Sequence, residues 1–317
     1  MSATSPTDAL SYYGRPIIKE PVWETDIPLY FFTGGLAGAS NVLALGALLS
    51  GNRRLRVSAL AVAAAGVTVS PYFLIKDLGR PRRFLNMMRV FKVTSPMSVG
   101  TWIFSAEGAT TSVAAACQLL GVMPRLRATA QVFAGLLGPA QATYTGALVA
   151  QSIVPAWHDA RRELPVLFAS SAAASAGGAA AILTPPEHAG PARRLAVFAG
   201  LAEVVTSKLM EKRLGELVGS VYREGEAGRY SRLARASTLA GAGLMALAGK
   251  RRSGATAGGA LLLAGSLCER FAVYHAGKQS ARNPLHTSIP QKERGGSAVT
   301  QPSSRTGSAD SPSASTR

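Results

Sequence analysis

Hydrophobic residues along this chain form long stretches that are separated by short clusters of charged residues. A helix needs about 20 consecutive apolar residues to cross a membrane. Stretches that approach or exceed this length cover residues 27–50, 55–75, 97–121, 128–153, 164–184, 195–210, 233–248 and 254–276. The sixth and seventh are the weakest, so seven helices remain an alternative. The pattern predicts an all-α fold, a polytopic membrane helix bundle of about eight transmembrane helices.

The segments outside these stretches differ in length and character. Four connections are tight polar turns, whereas residues 76–96 and 211–232 are longer and strongly charged. From His286 onward Ser, Thr, Gly, Pro and Gln dominate, and such a composition does not support a packed core. We therefore expect a polar N-terminal segment at 1–26, a transmembrane bundle at 27–278 and a polar disordered tail at 279–317.

Charge is sparse overall and strongly positive. Only 16% of residues are charged and the formal net charge is +17, whereas soluble domains carry roughly a quarter charged residues. Because the cations lie between apolar stretches, they indicate contacts with lipid headgroups rather than nucleic acid, and no nucleic-acid partner is expected. With eight spans, 20 Lys and Arg residues share the side of the termini and 10 lie opposite. This favours the cytoplasmic membrane, with cytoplasmic termini.

Three carboxylates fall inside the predicted spans: Glu107, Glu203 and Glu269. Ionisable residues are costly in a membrane interior, so each is a functional candidate that could relay protons. The alternatives are structural. Glu107 and Glu203 could form hydrogen bonds between helices, and Glu269 could pair with the adjacent Arg270.

The fourth predicted span carries Tyr144 and ends near Trp157 and His158. A phenol has an apolar ring and one hydrogen-bond donor, which suits a quinone headgroup in an apolar pocket. A bond to a neighbouring helix would explain Tyr144 equally well, and a Trp at a span end is usually an interface anchor.

Redox centres held by the chain itself are not expected. The chain has four His residues, of which only His275 lies near a helix interior, so a haem with two His ligands is excluded. Its two cysteines are too few for an iron–sulfur cluster, which needs about four thiolates. We also expect no metal site, and the two cysteines are expected to be reduced, although a bridge between them stays possible.

Several motifs together resemble the NrfD/PsrC family of quinone-interacting membrane subunits of polysulfide-reductase-like and related molybdoenzyme complexes. The most specific pair is Asp77-Leu78-Gly79-Arg80-Pro81 followed by Ser95-Pro96-Met97-Ser98-Val99-Gly100-Thr101-Trp102. Further matching runs are Tyr12-Tyr13-Gly14-Arg15-Pro16, Trp23, Tyr30, Gly34-Gly35, Tyr144-Thr145-Gly146 and Pro155-Ala156-Trp157. The resemblance extends from about residue 12 to residue 290.

The resemblance implies a membrane anchor and quinone-interacting subunit of a multi-subunit oxidoreductase, of the kind used in anaerobic respiration. Such a subunit passes electrons between menaquinone or ubiquinone and a four-cluster iron–sulfur partner, with a molybdopterin catalytic subunit beyond. It implies quinone or docking roles for Tyr144, Asp77, Arg80, Trp157 and His158. Glu107, which follows the second motif, is the first candidate for proton handling. Whether the subunit itself counts as an enzyme stays open.

Two other classes of function remain. Buried carboxylates would also suit a proton- or ion-translocating transporter subunit, and a purely structural anchor would bind no quinone. The better-known complexes of the family carry their catalytic subunits outside the cytoplasmic membrane, whereas the charge count places the motif loop inside.

Overall fold

A computed structural model describes residues 18–80 and 82–284. The motif at 12–16, most of the predicted polar head, Pro81 and the tail from 285 onward lie outside the described residues. Within them the fold is all-helical, without strands. The helices are α1 (Asp26–Leu49), α2 (Arg53–Asp77), α3 (Arg82–Met88), α4 (Pro96–Leu120), α5 (Pro124–Ala150), α6 (Pro155–His158), α7 (Leu164–Leu183), α8 (Gly190–Gly219), α9 (Gly225–Ala248) and α10 (Arg252–Arg282).

Each of the eight predicted stretches corresponds to one long helix of 20 to 31 residues. By length and composition alone, α1, α2 and α7 are apolar enough to cross a membrane. The all-helical membrane fold is therefore confirmed, whereas the number of eight spans stays a prediction.

Two connections differ from the expectation of irregular loops. Residues 82–88 form the short helix α3, and α8 continues through the charged run to Gly219. Its backbone breaks at Gly215, where φ is 73°. Lys, Glu and Arg are good helix formers, so a charged run lowers hydropathy without ending a helix. Similarly, α10 reaches Arg282, four residues beyond the predicted end of the bundle.

Glycines bring helix backbones into contact within the bundle. A methyl group on Gly38 of α1 would lie 2.7 Å from the carbonyl oxygen of Gly138 in α5. A methyl on Gly241 of α9 would lie 2.8 Å from that of Gly258 in α10. In lipid the hydrophobic effect does not drive helices together, and small residues allow their backbones to approach and pack closely. These glycines therefore pack helices within one chain. The two cysteines are free thiols.

Both ends of the described chain lie at the same end of the bundle. The hydroxyl of Tyr274, near the end of α10, donates a 2.6 Å hydrogen bond to the carbonyl oxygen of Trp23, just before α1. Arg282 binds both carboxylate oxygens of Glu20 at 2.9 Å. We call this end the motif end, because residues 77–80 of the first motif lie there too. The opposite end, which carries the tight turns near residues 51, 122, 187 and 250, is called the turn end.

Candidate functional site: a cavity at the motif end

An apolar cavity of about 500 Å³, partly open to the surroundings, lies where α1, α2, α4 and α5 meet at the motif end. Its few polar groups come from aromatic hydroxyls, Thr101 and Asp77, the usual make-up of a small-molecule site. The lining residues are Trp23, Ile27, Tyr30, Phe31, Leu74, Asp77, Leu78, Met87, Met97, Thr101, Tyr144 and Leu148.

Tyr144 forms one wall of this cavity. Its ring lies against Gly100, because a Cβ atom at position 100 would overlap the ring carbons. A second cavity of about 530 Å³ borders the ring as well, between α4 and the end of α5. No residue that the structure describes forms a hydrogen bond with the Tyr144 hydroxyl. Among the described residues the phenol donor is therefore unpaired, and its ring lies between two cavities.

Of the two motif residues Asp77 and Arg80, only Asp77 lines the cavity. Its carboxylate accepts a 3.2 Å hydrogen bond from the backbone N–H of Glu24. No Arg of the described residues pairs with this carboxylate, and the nearby cation Lys76 binds Asp26 at 3.1 Å. Arg80 is exposed and does not line the cavity. The structure thus brings Asp77 together with Tyr144 and leaves Arg80 on the surface.

Comparison with known proteins now decides the family. A family model described as polysulphide reductase, NrfD, matches residues 17–189, more than half of the chain. The chain belongs to the NrfD family. No curated protein matches it. The match is shorter than the resemblance from 12 to 290, but it contains every residue that lines the cavity, whereas α8–α10 lie beyond it.

In this NrfD-family chain, Trp157 lies one layer behind the cavity wall. It is 1% exposed, and its Nε1–H donates a 2.7 Å hydrogen bond to the carbonyl oxygen of Val273. Its ring stacks on Trp23 at a centroid distance of 5.5 Å. Trp157 is therefore a buried support for Trp23, and the alternative of an interface anchor is wrong. His158 is exposed and lies outside the cavity lining.

Glu107 is buried deeper in the bundle and does not line the cavity. The side-chain amide of Asn41 in α1 donates to Glu107 Oε1 at 2.7 Å and to Thr111 Oγ1 at 2.8 Å. The other oxygen, Oε2, is buried without a partner among the residues that the structure describes. Along α4, Thr101, Phe104 and Glu107 follow one another on a single face. Glu107 thus lies about 9 Å along the helix from the cavity lining.

A second buried polar cluster joins α7, α8 and α10. Arg270 donates a 2.8 Å hydrogen bond to the carbonyl oxygen of Phe168, and its guanidinium lies 3.9 Å from the centre of that ring. Glu203 and Glu269 are the carboxylates that act electrostatically on it, and all three side chains are buried. Within the described chain no ion pair within 4 Å joins Arg270 to either carboxylate. Glu269 and its neighbour Arg270 therefore belong, with Glu203, to a cluster of three ionisable side chains and do not form a direct salt bridge.

Several contributors to the site were not singled out as ligands in the sequence. Tyr30 and Thr101 line the cavity beside Tyr144, and Gly100 fixes the tyrosine ring. Trp23, Tyr30 and the run 95–102 belong to the family motifs. That membership was the signal that could have marked them as lining residues.

Proposed function

We propose that this chain is the membrane anchor and quinone-interacting subunit of a multi-subunit oxidoreductase. The observation that carries the proposal is the apolar cavity that Tyr144 and Asp77 both line, in which no described residue binds the Tyr144 hydroxyl. A quinone headgroup is flat and apolar and offers two carbonyl acceptors, which matches such a site. The family assignment supports a membrane subunit of this kind.

The chain's own residues would hold the substrate in a simple way. The aromatic side chains of Trp23 and Tyr30 would contact the ring of menaquinone or ubiquinone. Tyr144 would donate a hydrogen bond to one carbonyl oxygen, and Asp77 would accept one from the hydroxyl of the reduced quinol. Each hydrogen bond to a buried polar group removes a desolvation cost, so these contacts distinguish a quinone from a lipid tail.

Electrons would leave or enter through partners at the motif end. We propose a four-cluster iron–sulfur subunit docked there, with a molybdopterin subunit beyond it. Arg80, Arg82 and Arg83 are exposed and closely follow Leu78 of the cavity lining in the chain, so they would provide a basic docking surface. We propose that this end, with both termini, faces the cytoplasm, which the excess of Lys and Arg on this side supports.

Glu107 is our proposed proton-handling residue. Its Oε2 atom has no partner among the described residues and is available to bind a proton or a water molecule, and Thr101 of the cavity lies six residues earlier on the same helix. Buried polar atoms that lack protein partners are commonly served by ordered water.

The decisive experiment replaces Tyr144 by Phe and measures quinol-linked turnover in the purified complex. Loss of one hydrogen bond to the substrate should lower kcat/KM for the quinol about tenfold. Tyr72→Phe is the matched control, because Tyr72 is 63% exposed on α2. Assembly is checked by co-purification of iron and molybdenum. Unchanged turnover in an intact complex would instead favour the purely structural anchor.

A second candidate, proton or ion translocation, is favoured by the buried cluster of Glu203, Glu269 and Arg270 outside the cavity. A further pair, Arg235 with Glu211 at 3.2 Å, lies on the neighbouring helices α9 and α8. Charged residues inside membrane bundles often mark ion paths. Proton uptake by liposomes that contain the complex tests this function. A loss in Glu203→Gln with normal electron transfer would support it.

A further inference from the structure

The turn end of the bundle is strongly cationic and has little compensating negative charge. Glu187 is the one carboxylate in its connecting turns. The cations at this end are Arg53, Arg54, Arg56, Arg125, Arg127, Arg193, Arg194, Lys250, Arg251 and Arg252. Like charges at such density repel one another, and the repulsion must be reduced by solvent, by backbone hydrogen-bond acceptors or by bound anions.

On the α7–α10 side of this end, backbone carbonyls accept hydrogen bonds from the guanidinium groups. Arg193 donates to the carbonyl oxygens of Pro186 at 2.5 Å and Gly249 at 3.4 Å. Arg252 donates to that of Thr184 at 3.2 Å. These arginines cap helix ends and need no further partner.

Arg56 of α2 and Arg127 of α5 are different. Each is half-buried, and the Nε atom of each is fully buried without a hydrogen-bond partner in the part of the chain that the structure describes. The charged groups that act on Arg56 are Arg127 and Arg53, both of the same sign. Two neighbouring guanidiniums, each with a buried and unpartnered Nε atom and with no carboxylate of the described residues acting on Arg56, are an incomplete arrangement.

An independent observation lies one helical turn further into the bundle. Gln131 is 2% exposed, and neither its amide nitrogen nor its amide oxygen has a partner among the described residues. Residues four apart share a helix face, and helical side chains lean toward the N-terminus, so Gln131 leans toward Arg127. α2 and α5 also both begin at this end, and the positive ends of their dipoles favour an anion.

We propose that Arg56, Arg127 and Gln131, with Arg53 at the rim, bind the phosphate group of an anionic phospholipid. A phosphate offers several acceptor oxygens and matches the fork of two guanidiniums, while the amide of Gln131 donates from below. Basic pockets between membrane helices are suited to such headgroups. Leu119, Leu120 and Leu126 are exposed beside this end and offer apolar contacts for the acyl chains.

The test uses the full chain, purified and stripped of lipid, with phosphatidylglycerol or phosphatidylcholine added back and bound lipid counted by native mass spectrometry. The wild type should bind phosphatidylglycerol at least tenfold more tightly than phosphatidylcholine. Arg56→Gln with Arg127→Gln should lose about tenfold or more of that affinity. Arg54→Gln with Arg125→Gln removes the same charge from exposed positions at the same end and should change it less than about twofold.

Two further measurements keep the proposal falsifiable if the double variant does not fold. Gln131→Leu retains the charges and removes an unpaired amide from the interior, so it should fold and bind phosphatidylglycerol more weakly than the wild type. Equal loss in the two double variants, or no preference for phosphatidylglycerol, would overturn a specific site. Displacement of the lipid by millimolar inorganic phosphate would overturn the lipid and identify a free anion as the ligand.

Discussion

The ring of Tyr144 lies so close to Gly100 that a methyl group at position 100 would overlap the ring carbons. Gly100 belongs to the second half of the family motif pair, and Tyr144 lies 44 residues later on α5. In this chain the ring can take this place only because residue 100 has no side chain. The contact sets the place of the phenol in the cavity wall, and hence the position of the hydroxyl that we assign to the quinone.

Gly100→Ala should therefore displace Tyr144 and lower quinol turnover, although the phenol group itself is unchanged. A shift of about 1 Å at a reacting group can reduce a rate as much as a hundredfold, and we expect a loss of about tenfold to a hundredfold. Gly108→Ala, on the same helix with nothing within 4 Å of the added methyl, is the control and should retain full turnover. Equal activity of the two variants in intact complexes would show that the phenol position does not matter.

The helices were largely predictable from sequence, since hydropathy reports directly which stretches avoid water. α8 was predicted too short, because its last turns carry Lys208, Glu211 and Lys212, which are compatible with a helix but not with a high hydropathy. The number of spans stays unsettled for the same reason: several long helices combine apolar and charged residues.

The site was predictable only in part. Tyr144 and Asp77 were selected by chemistry and by resemblance, and the structure places both on one cavity. The grouping itself depends on contacts between distant segments, such as the stack of Trp23 on Trp157. Periodicity within one helix carries no information on such contacts. Arg80 and His158 carry suitable chemistry but lie outside the cavity lining, because residue type does not reveal which way a loop faces.

Glu107→Gln separates a proton role from a structural one. The amide is nearly isosteric and can still accept the hydrogen bond from Asn41, so the fold should be retained. If Glu107 handles protons, turnover should fall about tenfold or more, because an amide cannot exchange a proton with the cavity. Thr111→Val, which removes the other acceptor of Asn41, is the control and should leave turnover unchanged. Normal turnover in Glu107→Gln would mean that the role of Glu107 is the hydrogen bond with Asn41 between α1 and α4.

Arg270 should be the most sensitive charged residue for stability. Its removal takes the compensating cation away from the buried carboxylates Glu203 and Glu269 and, among the described residues, leaves only Arg235 to act on Glu269. Breaking a buried charge cluster in this way costs about 3–5 kcal/mol. Arg270→Met is therefore expected to unfold in detergent at a markedly lower temperature than the wild type. Arg229→Met, at an exposed position, should have little effect. Adding Glu203→Gln and Glu269→Gln to Arg270→Met should restore much of the loss; no recovery would mean that packing on Phe168 is the main contribution.

The ion pair between Glu20 and Arg282 should make the segment before α1 sensitive to acid. The hydrogen bond from Arg282, with Lys278 nearby, lowers the pKa of Glu20 below its ordinary value of 4.5. A carboxylate with a lowered pKa in the folded state stabilises that state above its ordinary pKa, and the contribution disappears as the pH falls through the lowered value. Trp23 lies three residues from Glu20 and lines the cavity, so loosening of this segment would reach the site.

Hydrogen exchange of residues 18–25, measured by mass spectrometry, checks this expectation. At neutral pH Glu20→Gln should exchange about twofold to fivefold faster than the wild type, as befits a partly exposed ion pair. Once the pH falls below the lowered pKa of Glu20, the two proteins should exchange alike, because the wild-type carboxyl is then protonated as well. Glu24→Gln alters an exposed neighbouring carboxylate and should match the wild type at both pH values. Equal exchange of Glu20→Gln and the wild type at neutral pH would show that the segment is held by the bond from Tyr274 to Trp23 rather than by charge.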